Sequence, residues 1–401
     1  MALAADPIDV ASIKRTEHRA ATVAFGAHAL HDGYTDLIYV MLPIWQAEFG
    51  LSYAVLGMLK AVFSGSMAGL QIPSGMVAER VGSAIVLAAG TALAGLGYCV
   101  AGFSVGLPML MVALALGGIG SSTQHPLGSE LIARAFAGAR SLRALGTYNF
   151  SGDVGKMTVP ALTALMVTVM PWRASLLIVG SVGVLAAVAI FLLMPRQLAT
   201  ARAAQQARNA AGTAMQPVAF GFPILCAVGV FDSATRMAFL TFLPFVLSAK
   251  GAGLPTVGLA LTLVFAGGAV GKLVCAFIGA RIGIFGTILL TEGLTAAGIV
   301  ALLPLPLEPA MALLPLVGVA LNGTSSVLYG SVPVFVTPER RPRAFGIFYT
   351  ATIGSGAASP IVFGFLGDSL GLAATVCCIA IIALATLPLA FVLRPALTHR
   401  A

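Results

Sequence analysis

Twelve apolar stretches, each about 20 residues or longer and cut by short polar or Gly/Pro turns, leave this chain few ways to fold. They run over 20–45, 52–78, 83–104, 107–133, 144–170, 173–194, 218–248, 255–280, 282–303, 309–336, 344–368 and 371–393. Each can cross the roughly 30 Å hydrocarbon layer as a helix, the one open-chain structure that satisfies its own backbone polar groups there. The expected fold class is all-α integral membrane, with twelve transmembrane helices in two six-helix bundles. Only 9% of the residues are charged, against about 25% in a soluble domain. Residues 1–19 carry Asp6, Asp9, Lys14, Arg15, Glu17 and Arg19 without an apolar centre, so no signal peptide is expected. Cys99, Cys226, Cys275, Cys377 and Cys378 all lie in apolar runs without metal-site spacing and read as small core residues.

The net charge of +8 could suggest nucleic acid, but the placement of the basic residues argues against that partner. Lys14, Arg80, Arg140, Arg196, Arg281, Arg341 and Arg400, with their basic neighbours, fall in segments that one topology puts on a single side; only Arg173 and Lys250 fall in loops on the other. The positive-inside rule then makes both termini cytoplasmic, in the cell (inner) membrane.

The stretches fall into two sets that repeat at an offset near 200 residues. Asp232 with Leu243-Pro244 mirrors Asp32 with Leu42-Pro43. Arg281-Ile282-Gly283 mirrors Arg80-Val81-Gly82, and Pro360 mirrors Pro160. The expected organisation is a bundle over 1–194, a cytoplasmic linker over 195–217 and a second bundle over 218–401. Two parallel six-helix repeats imply a transporter with its site between the halves near the midplane.

Charged residues inside the apolar stretches mark that site. A carboxylate facing lipid at mid-bilayer costs about 3 kcal/mol even on lenient scales. On a helix, His28, His31, Asp32, Thr35 and Asp36 share one face, which must therefore look onto protein or water. Asp32 and Asp36, one turn apart, repel when both are ionised, which favours proton uptake by one of them. The fifth stretch aligns Asn149, Asp153, Lys156 and Pro160, with Asp153 and Lys156 spaced to pair with each other. The seventh carries Asp232 and Arg236, also spaced to pair, and Arg236 suits a bidentate anion contact. His125 in the fourth stretch could relay protons. Lys60 and Lys272 fit snorkelling as well as ligand binding, and Glu292 has no evident partner. His28, His31, Asp32 and His125 could chelate a divalent transition metal by spacing, but no His-rich loop accompanies them, and neither a metal nor a cofactor is assigned.

These residues resemble the major facilitator superfamily across all twelve stretches. Gly75-Met-Val-Ala-Glu79-Arg80-Val-Gly82 is similar to its loop signature Gly-x-x-x-Asp-Arg-x-Gly, with Glu79 in place of Asp. The resemblance implies that Glu79 and Arg80 are gating residues. Within the superfamily, His28-x-x-x-Asp32, Gly118-x-Gly-Ser-Ser-x-x-His125-Pro126 and Gly152-x-x-Gly155 with Pro160 resemble the fosmidomycin-resistance group of efflux proteins. That likeness implies an exporter of a small organic solute, and fosmidomycin is itself an anionic phosphonate.

The function expected is proton-coupled secondary transport of an anionic or zwitterionic solute or drug by a monomer. Its partners are the solute, protons and the lipid bilayer. The alternative is transport of a divalent transition metal or a metal chelate. The chain has no Gly-x-Ser-x-Gly, His-Glu-x-x-His or phosphate-binding loop, so no enzyme is expected.

Overall fold

The computed structural model describes residues 10–136, 139–195, 220–337 and 340–398. Most of the linker expected over 195–217 lies outside the described residues. The helices are α1 (Val10–Phe49), α2 (Tyr53–Val81), α3 (Ser83–Gly102), α4 (Leu107–Ser121), α5 (Gln124–Ala135), α6 (Ala139–Val169) and α7 (Trp172–Leu193). The second repeat supplies α8 (Gly221–Ser248), α9 (Leu254–Ala301), α10 (Leu307–Ser331), α11 (Arg341–Leu370) and α12 (Leu372–Thr398). Ten segments among the described residues are long and apolar enough to cross a membrane. The two remaining long helices, α1 and α6, carry Asp32, Asp36 and Asp153 within their length. Their partners bury those residues, while apolar side chains such as Ile72, Val169, Leu185 and Phe277 cover the outside, as expected of a multi-pass membrane protein.

Two departures from the expected limits have local causes. The fourth stretch is not one helix: it breaks at Ser122 and Thr123, whose hydroxyls donate to the carbonyls of Ile119 and Gly120. Pro126 has no N–H to continue the ladder there. In the other direction, α9 runs through two stretches as a single element, with its kink at Gly283 (φ 74°, ψ 171°). That backbone conformation is open essentially to glycine alone. The internal repeat is visible in the backbone itself, because Gly82 (φ 101°) matches Gly283 and Gly50 (φ 62°) matches Gly251 (φ 87°), each pair 201 positions apart.

In the first repeat α1 packs along α6 and α3 along α7. In the second, α8 packs on α11 and α12, and α9 on α10. Two seams join the repeats, α2 with α11 and α6 with α9. At the first, a Cβ on Gly57 would sit 2.0 Å from the Pro360 carbonyl oxygen, and one on Gly364 would sit 2.5 Å from that of Tyr53. Asp368 on α11 also caps α2 from the opposite repeat, its two oxygens accepting the N–H groups of Tyr53 (2.7 Å) and Ala54 (3.0 Å). At the second seam Thr262 Oγ1 donates to the Met157 carbonyl at 2.7 Å. These contacts all lie toward the end of the molecule where α2 begins.

Candidate functional site

Between the repeats lies a cavity of about 560 Å³ lined by Asp32, Asp36, His125, Lys156, Asp232, Arg236 and Lys272, with Met67, Phe265, Asn322, Tyr329 and Tyr349 among its other walls. Helix α1 can bring its acids here because α6 offers glycine where the two cross. A Cβ on Gly155 would lie 1.8 Å from the Ala29 carbonyl oxygen, and one on Gly152 would lie 2.5 Å from Asp32 Oδ2. The helices therefore touch backbone to backbone, and Asp32 and His28 fit over Gly152.

Asp32 sits at the centre of a group of bases. Lys156 Nζ is 3.3 Å from its Oδ2, while His28 Nε2 and His125 Nε2 are 3.5 and 3.8 Å from its Oδ1. The break between α4 and α5 places His125 here. The His28 ring stacks on Tyr148 (centroids 4.0 Å apart, 14° between planes), and its Nδ1–H donates to the Tyr148 carbonyl at 2.7 Å. Asp36 is buried and lines the cavity. Among the described residues no basic side chain lies within ion-pairing distance of it, so the two acids of α1 have different surroundings.

The pairings expected from helical spacing are not the ones formed. Lys156 turns to Asp32, and Asp153 instead takes Lys272 from α9 at 2.7 and 2.8 Å. Lys272 is therefore an inter-repeat partner rather than a snorkelling side chain. Helix α6 lies between α1 and α9, so the reach of each long side chain decides the partner, not its position along one helix. Asp232 of α8 and Glu292 of α9 are both buried and lie close to each other, while Thr324 Oγ1 donates to Thr291 Oγ1 at 2.7 Å. Arg236 Nη1 donates to Ser325 Oγ at 3.3 Å, and no carboxylate lies within ion-pairing distance of it among the described residues. Glu292 had no partner legible in the chain because Asp232 stands sixty residues away on another helix.

Two residues grouped with the site by sequence, His31 and Asn149, take other places, and so does Lys60, whose role the sequence left open. His31 faces α3: Thr91 donates to the Leu87 carbonyl at 2.8 Å, so it accepts from His31 Nε2–H at 2.9 Å. Asn149 is exposed, one turn along α6 from Asp153, and is not among the cavity-lining residues. Lys60 is buried against α1, where its Nζ donates to the Thr35 carbonyl at 2.8 Å and lies 4.5 Å from the centre of the Tyr39 ring. Glu79 and Arg80 are exposed at the end of α2, with no ion pair between side chains found for either among the described residues.

Solved structures share this architecture. A bacterial homolog of the human lysosomal transporter Spinster, inward-facing and unoccupied, superposes with a TM-score of 0.78 over 96% of this chain and 98% of its own, at 15% identity. A variant of the nucleoside transporter NupG gives 0.74 over 95% and 99%, also at 15% identity. In sequence, the chain is 26% identical over 181 residues to a probable L-galactonate transporter of Escherichia coli (strain K12), covering 45% of this chain and 40% of that protein. It is 26% identical over 168 residues to the putative multidrug resistance protein MdtD of Salmonella typhimurium (strain LT2), covering 42% and 36%. The chain thus matches less than half the length of these curated relatives. A model of the Major Facilitator Superfamily matches residues 24–307 and 225–401, nearly the whole chain. By that match, and by a fold it shares with solved transporters, the chain belongs to the Major Facilitator Superfamily.

Proposed function

We propose that this protein is a proton-coupled secondary transporter that exports a small anionic or zwitterionic organic solute by alternating access. In this reading the bundles 1–194 and 218–401, joined by 195–217, rock about the cavity in the inner membrane, with both termini cytoplasmic. The contacts of α2 with α11 lie at the end where α2 begins, and in this reading the solute enters the cavity from the end carrying Arg80 and Arg281. The likeness to the fosmidomycin-resistance group, and a relative described as a putative multidrug resistance protein, support export.

The observation that carries the substrate class is Arg236. Its guanidinium lines the cavity with a single neutral hydroxyl partner among the described residues, leaving most of its donors for a carboxylate or phosphonate. A relative described as a probable L-galactonate transporter, whose substrate is a sugar acid, agrees with an anion. Asp36 supplies the proton site. It can exchange a proton with the cavity without first breaking an ion pair, whereas Asp32 holds Lys156 in place.

Proton movement in sealed proteoliposomes carrying a lumenal pH dye tests the reading. Phosphonates or sugar acids are expected to trigger proton flux in the wild type and not in Arg236→Gln. Flux triggered equally by neutral solutes, or unchanged in Arg236→Gln, would overturn the anionic class.

A further inference from the structure

The arrangement around His28 contains more bases than the transport reading uses. Its Nδ1–H is committed to the Tyr148 carbonyl. With the ring in its neutral form, that tautomer points the lone pair of Nε2 at a carboxylate oxygen of Asp32, 3.5 Å away. The ring is 3% exposed, and among the described residues its Nε2 has no hydrogen-bond partner. Two acceptors facing each other in a buried place repel unless something positive lies between them. His125 brings a third base, its Nε2 3.8 Å from the same Asp32 oxygen. One proton can join two of these three groups. A metal ion can join all three.

The spacing fits such an ion. Ligand atoms around a tetrahedral ion with bonds of about 2.1 Å stand about 3.4 Å apart, and the two His–Asp separations are 3.5 and 3.8 Å. One ligand atom from each of His28, Asp32 and His125 lies within 4.8 Å of the others, so closure onto an ion takes a movement of the half-exposed His125 ring. A carbonyl holding the far nitrogen of a ligating imidazole is the usual support for such a histidine, because it fixes the tautomer and the ring plane. Two imidazoles and one carboxylate suit first-row divalent ions such as Co²⁺, Ni²⁺ and Zn²⁺ rather than Mg²⁺ or Ca²⁺. Asp32 and His125 both line the cavity, which leaves the remaining coordination position open to its contents.

We propose that His28, Asp32 and His125 form a binding site for a divalent transition-metal ion on the cavity wall. Lys156 stands against it. Its ammonium occupies the other oxygen of Asp32 at 3.3 Å and repels a second cation, so this lysine sets the affinity of the site. His31, which the chain's spacing would include, is excluded because its ring is turned to Thr91.

The test is a titration of the purified full chain, without a polyhistidine tag, with Co²⁺ in detergent. Coordination by nitrogen and oxygen is read directly from visible d–d absorption. Saturable absorption is expected in the wild type and in His31→Ala, with loss in His28→Ala and in His125→Ala and tighter binding in Lys156→Gln. His125 is the safer variant for folding, since its side chain is part-exposed and its one ion pair among the described residues is with Asp32. No absorption in the wild type, or absorption that survives His125→Ala, would overturn the proposal. No organic solute or proton gradient enters this measurement, so its failure leaves the transport reading untouched.

Discussion

Lys272 reaches from α9 to both carboxylate oxygens of Asp153 on α6, at 2.7 and 2.8 Å, and so ties one repeat to the other. Asp153 is buried, 7% exposed. Removing only the lysine leaves a buried carboxylate without its counter-ion, which costs about 3 kcal/mol, whereas removing both charges costs far less. Lys272→Met is therefore expected to lower the melting temperature in detergent, and the double variant Asp153→Asn/Lys272→Met to recover most of the loss. Thermal unfolding of the three proteins checks this. A double variant no more stable than Lys272→Met would show that the pair carries no shared energy.

Asp32 and Asp36 are one turn apart and should behave differently when neutralised. Asp36→Asn is expected to abolish proton-driven transport while solute exchange between equal internal and external pools continues. Asp32→Asn frees Lys156 and removes the negative charge at the centre of the cluster, so both modes should fall at least about tenfold. Counterflow and pH-driven uptake in the same vesicles separate the two. Equal losses in both variants would mean that the acids act as a unit.

Gly155 predicts a packing defect with a definite sign. Its Cβ position lies 1.8 Å from the Ala29 carbonyl oxygen, so Gly155→Ala must push α1 from α6, at about 1–3 kcal/mol. A Gly146→Ala change on the same helix meets no atom within 4 Å and should be neutral or mildly stabilising. Melting temperatures of the two variants give the comparison.

Asp368 caps α2 across the seam, accepting from Tyr53 and Ala54. Loss of such a cap costs about 1 kcal/mol, here charged entirely to the closed arrangement of the repeats. Asp368→Ala should raise the reactivity of Leu240→Cys, at the cavity wall, toward a thiol reagent added from the side of Asp368. A cysteine-free background and both membrane orientations make the measurement direct. Unchanged labelling would show that the cap does not hold that end shut.

The sequence displayed the architecture more fully than the site, for a physical reason. Crossing a bilayer imposes length and hydropathy on every helix, so the twelve spans and their repeat could be read without knowing any contact. Asp32, Asp36 and Arg236 were legible too, because charge within an apolar run has so few tolerable surroundings. What failed was partner choice. Spacing along one helix suggested Asp153 with Lys156 and Asp232 with Arg236, yet Asp153 took Lys272, Lys156 took Asp32 and Arg236 took Ser325, each from another helix. His31 was misplaced because a residue at the edge of a helical stripe can turn to either neighbour. Here α3 offered Thr91.

The seam between α2 and α11 is made where Gly57 and Gly364 meet main-chain atoms, whereas the cavity is lined by side chains. A lineage could exchange Met67, Phe265 or Tyr349 for other residues and acquire a new cargo while its closing surface stayed the same. Hinge and pocket can then drift independently, which is one physical route by which a single scaffold diversifies among solutes.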